Sequence, residues 1–370
     1  MTDHVQTVVV GAGVIGIAVA RKLARLGHEV LILEAEERIG QHTSSRNSGV
    51  IHAGLYYNPK SLRAKLCVQG KGMLYDYCQS RHVPFEKTGK LVVATTPKQI
   101  NQQMALVENA RANGVDDLSI ISAADAIAME PELSCLGAIH SPSTGIVDAS
   151  ALIQSLLGEA EAAGAMLALG SSVARVVPAA NGFQLTVGET QLTCQNLINA
   201  AGLGAWDIVQ TFAGYPTTLI PPKYFAKGRW YATGGKAPFK QLIYPMSDGH
   251  SLGVHFTRDL GGGFRFGPDL EYLDPAVIDY DMGESRAQAF EDSVSRWWPN
   301  VPKGKMMPEG CGIRPRVTQL GTAQSDYHFA GEAEHGYKGL VHLFGMESPG
   351  LTSCLAIGAY VAEMIEGTIK

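Results

Sequence analysis

The chain has 370 residues, 45% of them hydrophobic and 18% charged, and its formal net charge is −5 at pH 7. This composition is typical of a globular protein, and the length exceeds one ordinary core and predicts two domains. A net negative charge without a basic stripe argues against binding to nucleic acid. The six cysteines are scattered, with no spacing typical of a zinc site, so we predict reduced thiols and no metal site.

The first predicted strand ends in a glycine-rich turn, Val8-Val9-Val10-Gly11-Ala12-Gly13-Val14-Ile15-Gly16. In such a turn Gly11 permits the tight bend, Gly13 lets the backbone approach a pyrophosphate, and Gly16 lets the helix pack on the strand. The helix presents its positive N-terminal end to the phosphates, where Val14 and Ile15 are further candidates. Glu34 and Ala35 end the second strand, where a carboxylate can accept hydrogen bonds from an adenosine ribose. The motif predicts an adenine dinucleotide.

The same apolar run resembles a secretory signal peptide, with an A-x-A-like cleavage site at Ala18-Val19-Ala20. Residues 1–4 contain no Lys or Arg, however, and cleavage would remove the cofactor turn. We therefore predict that the run belongs to the mature protein. No stretch reaches the ~20 apolar residues of a transmembrane helix. We predict a cytoplasmic location and leave open a peripheral contact with the inner face of the membrane.

A polar loop follows Glu34 at residues 38–54 and is rich in small hydrogen-bond donors. A flavin dinucleotide needs such a loop for its second half, whereas a nicotinamide dehydrogenase usually continues directly into another βαβ unit. The loop therefore favours FAD over NAD. The candidate cofactor contacts within it are Thr43, Ser44, Ser45, Asn47, Ser48, Gly49 and Val50.

The rest of the chain alternates between helical and strand patterns. Helices are predicted at residues 61–81, 97–114, 122–131, 149–164, 285–298 and 350–366, and strands at 90–95, 165–169, 174–177, 183–187, 197–202, 252–257 and 340–344. The strand at 197–202 ends in Ala200-Ala201-Gly202, whose small residues let the backbone approach a ligand. Val173 and Trp206 are further candidates for contacts with the cofactor. Trp297 and Trp298 are predicted to belong to a core.

A nucleotide domain that is completed by distant segments, with a second domain inserted between them, accounts for this order. We predict an α/β fold with a Rossmann-like FAD-binding domain built from residues 1–84, 142–212 and 312–370. The remaining residues, 85–141 and 213–311, are predicted to form an α+β substrate domain with a mainly antiparallel sheet.

Five further segments carry a resemblance that covers nearly the whole chain: residues 47–54 with Tyr56 and Tyr57, and residues 65–70, 89–91, 144–148 and 252–257. On these segments the chain resembles the D-amino-acid oxidase superfamily of FAD enzymes, and within it the L-2-hydroxyglutarate dehydrogenases and oxidases. It departs from well-studied members at Arg46, where they have histidine, and at Lys227-Gly228, where they have Arg-Gly. The sequence of the segment Glu347-Ser348-Pro349-Gly350 also differs from theirs.

The resemblance implies noncovalent FAD and oxidation of a short 2-hydroxy acid by hydride transfer to flavin N5. The alternatives are an amine or amino-acid oxidase of the same superfamily and a nonenzymatic flavoprotein that acts as a redox sensor or scaffold. The electron acceptor stays open among oxygen, a quinone and a carrier protein.

Oxidation of a 2-hydroxy acid needs a carboxylate anchor and a proton acceptor. The predicted anchor is Arg314 in the turn-like Gly312-Ile313-Arg314-Pro315, because a guanidinium binds a carboxylate bidentately. Relatives with a similar Gly-x-Arg-Pro segment imply the same role. His255 and His52 compete as the base, since neutral imidazole accepts a proton near pH 7. The other candidates for substrate binding are Tyr244 and Lys227, with Arg46 and Arg229 as secondary cations.

The last helix supplies a field for the pyrimidine edge of the flavin. Its N-terminus can present amide groups and a positive dipole end to N1 and O2. The candidate residues there are Pro349, Gly350, Leu351 and Thr352. His328, His335 and His342 are not predicted to form a metal site, because their contexts differ.

Overall fold

The structure is a computed structural model that describes residues 3–247, 253–319 and 326–369. Leu252, the first residue of the strand predicted at 252–257, lies outside the described residues. The α-helices are α1 (Val14–Arg25), α2 (Leu62–Arg81), α3 (Pro97–Ala112), α4 (Ala123–Met129), α5 (Ala149–Ala162), α6 (Ala205–Gln210), α7 (Ala287–Val294), α8 (Glu332–His335) and α9 (Gly350–Ile365). Short 3-10 helices lie at His42–Ser44, Gly202–Gly204 and Thr217–Leu219.

The strands form two large sheets and one small sheet. They are β1 (Asp3–Val10), β2 (Val30–Leu33), β3 (Val50–Ile51), β4 (Phe85–Glu86), β5 (Lys90–Ala94), β6 (Ser119–Ser122), β7 (Gly137–Ser141), β8 (Gly145–Val147), β9 (Met166–Ala168), β10 (Val173–Ala179), β11 (Gly182–Val187), β12 (Thr190–Asn199), β13 (Tyr224–Ala232), β14 (Leu242–Pro245), β15 (His255–Arg258), β16 (Phe264–Gly267), β17 (Glu271–Leu273), β18 (Met307–Arg316), β19 (His328–Ala330) and β20 (Leu340–Phe344).

The first large sheet is the Rossmann-like one. Its order is β10-β11-β12-β1-β2-β9, and β20 pairs with β12 and with β19. The pairs β12-β1, β1-β2, β2-β9 and β12-β20 are parallel. Both faces of β1 are covered, because Val9 packs into the cluster with α1 and α9 while Val8 and Val10 pack into the cluster with α6. A parallel strand buried on both faces explains why β1 reads as a continuous apolar run.

The second large sheet has the order β17-β13-β16-β15-β14-β5-β7-β6, with β18 paired to β13. Its pairs are antiparallel except β14-β5. Trp297 and Trp298 pack with Phe256 and Phe266 in a core on one face of this sheet, as predicted. These two sheets confirm the predicted fold class.

Several boundaries differ from the sequence predictions. Residues 312–315 belong to β18 and not to a turn, because this segment pairs with β13. The strand predicted at 252–257 begins only at His255, and the helix predicted at 285–298 ends at Val294. Because β18 belongs to the second sheet, the predicted domain boundary at residue 312 falls inside a strand, and the division into domains itself stays a prediction.

The described helices do not include one that combines the length and apolar character needed to cross a membrane.

Helix α2 crosses α9 at a glycine, and this contact fixes the N-terminal end of α9. The hydroxyl of Ser61 accepts a hydrogen bond from the Ala64 amide at 3.1 Å and caps α2. At Gly70 an added Cβ would lie 2.6 Å from the Thr352 carbonyl oxygen. Only glycine therefore allows the two helices to approach so closely at this point.

Gly70→Ala should lower the free energy of unfolding by about 1 to 3 kcal/mol, because the new methyl group forces α2 away from α9. Gly72→Ala on the same helix is the control, since a Cβ there meets nothing within 4 Å. Alanine at this exposed position should stabilise the protein by about 0.5 to 1 kcal/mol. Urea unfolding of both variants measures the difference, and equal effects would contradict the assigned contact.

Candidate active site

A cavity of about 1450 Å³ lies against residues of both large sheets. Pockets for drug-sized ligands measure roughly 300 to 1,000 Å³, so this cavity has room for a longer ligand. Most of the predicted cofactor and substrate residues line it: Gly11, Gly13, Val14, Ile15, Glu34, Ala35, Thr43, Ser44, Asn47, Ser48, Val50, His52, Val173, Ala200, Ala201, Gly202, Tyr244, His255, Arg314, Pro349, Gly350 and Leu351.

One end of the cavity is formed by the glycine turn and the strand end beside it. Gly11 has a φ of 106°, and a Cβ on it would lie 2.7 Å from the Ala200 carbonyl oxygen. The Glu34 carboxylate accepts hydrogen bonds from the backbone amides of Ala12 at 2.6 Å and Glu36 at 3.0 Å. These bonds fix the carboxylate against the cavity, where it suits a ribose.

The polar loop after β2 closes over the N-terminus of α1. The Ser44 hydroxyl accepts a hydrogen bond from the Val14 amide at 3.0 Å, and a Cβ on Gly13 would lie 3.0 Å from the same oxygen. The Asn47 side chain donates to the Ser44 carbonyl at 2.7 Å and accepts from the Gly49 amide at 2.8 Å. The loop is therefore shaped by its own hydrogen bonds beside the α1 terminus, a position suited to phosphate.

Three predicted cofactor residues do not line the cavity. Their contacts are with the protein backbone. A Cβ on Gly16 would lie 1.9 Å from the Gly11 carbonyl oxygen, which is the close helix packing expected of the motif. Gly49 has a φ of 65°, and a Cβ there would meet the Val147 carbonyl oxygen at 2.9 Å. Ser45 is exposed, and its hydroxyl bonds to the His42 carbonyl at 3.2 Å.

Two further predicted cofactor residues are buried away from the cavity lining. The Trp206 ring belongs to the core of the first sheet, and its indole N–H donates to the Pro221 carbonyl at 2.8 Å. The Thr352 hydroxyl donates to the Val50 carbonyl at 3.2 Å and accepts from the His52 amide at 2.9 Å. Thr352 thus ties the α9 terminus to the loop that carries His52.

The other end of the cavity is formed by one face of the second sheet. Strands β14 and β15 are antiparallel, and Ile243 pairs with Phe256. The next residue of β14, Tyr244, therefore lies beside the preceding residue of β15, His255, on the same face. Their rings stack with centroids 3.9 Å apart and planes 12° apart. Phe256 points into the opposite core. Successive residues of this strand therefore face the cavity and the aromatic core in turn.

Both candidate bases are neutral. Burial is the main cause that lowers the pKa of His255 to about 3, with the charge of Lys90 next and smaller effects of His52 and Arg314. Burial and then Lys90 lower the pKa of His52 to about 3 as well. The His52 Nε2 lies 3.1 Å from the Ser348 hydroxyl, whereas the His255 Nδ1 is buried without a hydrogen-bond partner in the described part of the chain.

Arg314 lies on β18, opposite Ala226 in β13. Its Nη1 is buried and has no hydrogen-bond partner among the described residues. The guanidinium rests against Gly228, where a Cβ would lie 2.9 Å from Nη1. Burial lowers the pKa of Arg314, but arginine stays charged in proteins. A buried charged donor without a partner at a cavity wall is suited to an anion.

Lys227 does not line the cavity, which argues against its predicted role in substrate binding. It alternates with Gly228 along β13, so its side chain points to the other face. There its ammonium donates to Asp279 at 2.7 Å and to the Asp281 carbonyl at 2.7 Å. Arg229 does not line the cavity either, and it forms ion pairs with Asp269 and Glu271.

Arg46 does line the cavity. Its guanidinium carbon lies 4.0 Å from the Tyr280 ring centroid.

Sequence reasoning missed several residues of the cavity wall, among them Tyr56, Tyr57, Arg63, Arg316 and Glu347. The two tyrosines stood inside the segment that carried the resemblance, which was the available signal. Their loop is held by α3, where Asn109 donates to the carbonyls of Leu55 at 2.8 Å and Tyr57 at 3.1 Å. Asn113 donates to the carbonyls of Gly54 at 2.9 Å and Tyr57 at 3.0 Å.

Near the α9 terminus the buried Glu347 carboxylate lies between two cations. It is 3.1 Å from Nη2 of Arg63 and 3.1 Å from Nε of Arg316. Together with Arg314, three guanidinium groups therefore share the wall with this carboxylate. In the described ranges no group of three His, Cys, Asp or Glu side chains is arranged to hold a metal ion.

A Rossmann-like sheet with a carboxylate after its second strand, and a cavity that continues to a buried arginine and neutral imidazoles, define a dinucleotide-dependent oxidoreductase. Comparison with known proteins agrees. The family model described as FAD dependent oxidoreductase matches residues 6–364. The chain belongs to this family, and its cofactor is FAD.

Curated relatives match over almost the whole chain. L-2-hydroxyglutarate dehydrogenase, mitochondrial, of Arabidopsis thaliana is 37% identical, with 97% of this chain and 83% of the relative covered. L-2-hydroxyglutarate dehydrogenase of Indibacter alkaliphilus is 29% identical, with 97% and 98% covered. The mitochondrial enzyme of that name from Homo sapiens is 30% identical, with 99% and 89% covered.

Solved structures share the fold at low identity. Dithionite-reduced L-α-glycerophosphate oxidase from Mycoplasma pneumoniae with FAD bound has a TM-score of 0.88 at 22% identity, with 99% of this chain and 95% of that chain covered. Glycine oxidase from Geobacillus kaustophilus has a TM-score of 0.82 at 19% identity, with 100% and 96% covered. Both confirm the fold.

The residues present fit FAD. The glycine turn leaves room where a Cβ would collide with the Ala200 carbonyl, the Glu34 carboxylate is fixed at the cavity wall as a ribose contact requires, and the cavity continues far beyond one nucleotide. The N-terminus of the sixteen-residue helix α9 reaches the cavity through Pro349, Gly350 and Leu351.

Glu34→Ala should weaken the binding of FAD by roughly 10- to 100-fold, because charge-assisted hydrogen bonds to the ribose and to the turn are lost. Glu37→Ala is the matched control, since Glu37 is exposed and lies outside the cavity lining. Titration of each apoprotein with FAD, followed by flavin fluorescence, gives both dissociation constants. An unchanged constant for Glu34→Ala would contradict its assignment to the ribose.

Proposed function

We propose that this protein oxidises L-2-hydroxyglutarate, or a 2-hydroxy acid of similar size, to the 2-oxo acid. The observation that carries the proposal is the buried Nη1 of Arg314, which lacks a partner in the described ranges, on a wall shared with two neutral imidazoles. The printed names of the curated relatives support the substrate class.

Arg314 is the proposed anchor for the carboxylate beside the reacting carbon. Its guanidinium can donate two parallel hydrogen bonds, which fix the direction of the C2–H bond. Gly228 leaves the space in which the guanidinium lies. The proposed site for a second carboxylate is the group of Arg63 and Arg316, two cations that flank Glu347 on the cavity wall. A dicarboxylate would therefore be preferred over a monocarboxylate.

His255 is the proposed base. Its Nδ1 lacks a partner within the described chain, whereas the Nε2 of His52 faces the Ser348 hydroxyl. FAD held in this cavity would supply the hydride acceptor, flavin N5. His255 takes the proton from the substrate hydroxyl, and the Tyr244 ring holds the imidazole in place by stacking. The amide groups at the start of α9 are proposed to face the pyrimidine edge of the flavin.

The two large sheets support a division into two domains, but β18 of the second sheet runs past the boundary predicted at residue 312. The cytoplasmic location stays a prediction, since the names of the relatives include mitochondrial enzymes.

An anaerobic substrate panel tests the function. The flavin absorbance of the purified holoprotein should bleach on addition of L-2-hydroxyglutarate, and the loss of absorbance should be slower with monocarboxylic 2-hydroxy acids because they leave the second cationic site empty. A spectrum that stays unchanged with every 2-hydroxy acid would refute the proposal. Bleaching with amino acids, accompanied by release of ammonia, would favour an amino-acid oxidase instead.

Two cation variants sharpen this test. Arg314→Lys keeps the charge but loses the forked geometry, so kcat/KM should fall by roughly 10- to 100-fold. Lys227→Met is the control, because Lys227 lies on the opposite face of β13 and is paired with Asp279. Its kcat/KM should stay near the wild-type value, and a loss equal to that of Arg314→Lys would contradict the assignment.

The two histidines are separated by substitution with asparagine. His255→Asn should lower kcat by about 100-fold or more, the usual contribution of a positioned general base, while the FAD content stays the same. His52→Asn should cost less, since its ring already bonds to Ser348. Stopped-flow reduction of the flavin measures both, and a larger loss for His52→Asn would identify His52 as the base.

A further inference from the structure

Lys90 is a buried cation that the proposed reaction does not use. It lies on β5 with 1% of its surface exposed. Its ammonium lies 4.9 Å from the Tyr56 ring centroid and 4.7 Å from the Tyr244 ring centroid. Within the described ranges aromatic rings surround this ammonium, and no carboxylate pairs with it. Lysine is almost never fully buried unless its charge is paired, so the presence of a buried lysine at this position needs an explanation.

The register of the sheet connects Lys90 to the proposed base. Lys90 in β5 pairs with Leu242 in β14. Tyr244 lies two residues after Leu242 in the same strand, so Lys90 and Tyr244 lie on the same face of the sheet. Tyr244 in turn stacks on His255 at 3.9 Å. The ring of Tyr244 therefore contacts both the ammonium of Lys90 and the imidazole of His255.

In the part of the chain that the structure describes, the groups that act on His255 and Lys90 supply no negative charge. The imidazole of His255 is influenced by Lys90, by His52 and by Arg314, all neutral or positive. Lys90 faces the phenols of Tyr56 and Tyr244 and, from α2, the thiol of Cys67. Burial raises the pKa values of both phenols above the ordinary range and that of the thiol to about 12, so these groups stay neutral.

We propose that Lys90 is a positioning residue for the oxidation: its charge, held against Tyr56 and Tyr244, keeps the imidazole of His255 in its neutral form. This inference rests on the proposed function. The proton of the substrate hydroxyl goes to an imidazole nitrogen, and Lys90 neither gains nor loses a proton in that step. Its effect is to exclude protonation from solvent before substrate binds.

The direction of the effect follows from the order of the titrations. Burial lowers the pKa of Lys90 to about 7, so the ammonium is charged through most of the acidic pH range. An imidazole would take up its proton only in that acidic range, where the charge of Lys90 opposes it. Above pH 7 Lys90 loses its charge, but the imidazoles are neutral there in any case.

Lys90→Met tests the inference in the holoprotein. Methionine has a side chain of similar length to lysine. It replaces a buried charge that is not paired with a carboxylate in the described ranges, so the variant should fold. The acid limb of kcat/KM against pH should move upward by about one pH unit, the size expected from one nearby buried charge. Lys87→Met is the matched control: the Lys87 ammonium also lies 4.7 Å from a tyrosine ring, that of Tyr75, but Lys87 is exposed and outside the cavity.

Lys87→Met should leave the acid limb in place. A Lys90→Met variant with reduced kcat but an unmoved limb would show a merely structural role and overturn the inference. Titration of the histidines by NMR in the substrate-free holoprotein gives a readout that does not need turnover. In Lys90→Met the pKa of His255 should rise toward 6.5, and an unchanged value would also overturn the inference. If no 2-hydroxy acid reduces the wild-type flavin, the proposed function fails, while this titration still decides what Lys90 does.

Discussion

The parallel pairing of β12 with β1 is the constraint on which the site depends. It joins Val10 to Asn199, so the glycine turn and the small residues after β12 end at the same edge of the sheet. The backbone approach is so close that a Cβ on Gly11 would collide with the Ala200 carbonyl. β20 pairs with β12 in the same direction, and the chain beyond it leads into α9. Three distant segments thus meet at one cavity wall.

The second sheet completes the cavity, and the alternation of side chains between its two faces decides which residues reach the cavity. His255 in β15 and Tyr244 in β14 are cross-strand neighbours, so they lie on the same face of the sheet, and this face lines the cavity. Phe256, the next residue after His255, lies on the opposite face in the aromatic core. The same alternation separates Gly228, which makes room for Arg314, from Lys227, which pairs with Asp279. A shift of one residue in β13 would exchange these two faces. The position of the anchor therefore depends on register as much as on residue type.

Local patterns were sufficient for the adenosine end of the cavity. The motif around Gly11 and Glu34 is contiguous in sequence, and its geometry follows from two strands, one turn and one helix. The position of Thr352 was harder to predict, because its hydroxyl bonds to Val50 and His52, some 300 positions away. Arg63 had no sequence signal either, since its place in the wall depends on how α2 crosses α9.

The positive charges in the cavity serve two requirements at once. A dicarboxylate needs cations at the wall, and a neutral imidazole needs an environment that rejects protons. Arg314 contributes to both, because it is proposed to bind the carboxylate and it lowers the pKa of His255. An acidic partner for Arg314 or Lys90 would have made the empty protein more stable. It would also have competed with the substrate for Arg314 and favoured protonation of His255. Among the described residues, no carboxylate accepts a hydrogen bond from Nη1 of Arg314 or forms an ion pair with Lys90, which is consistent with selection for function over stability.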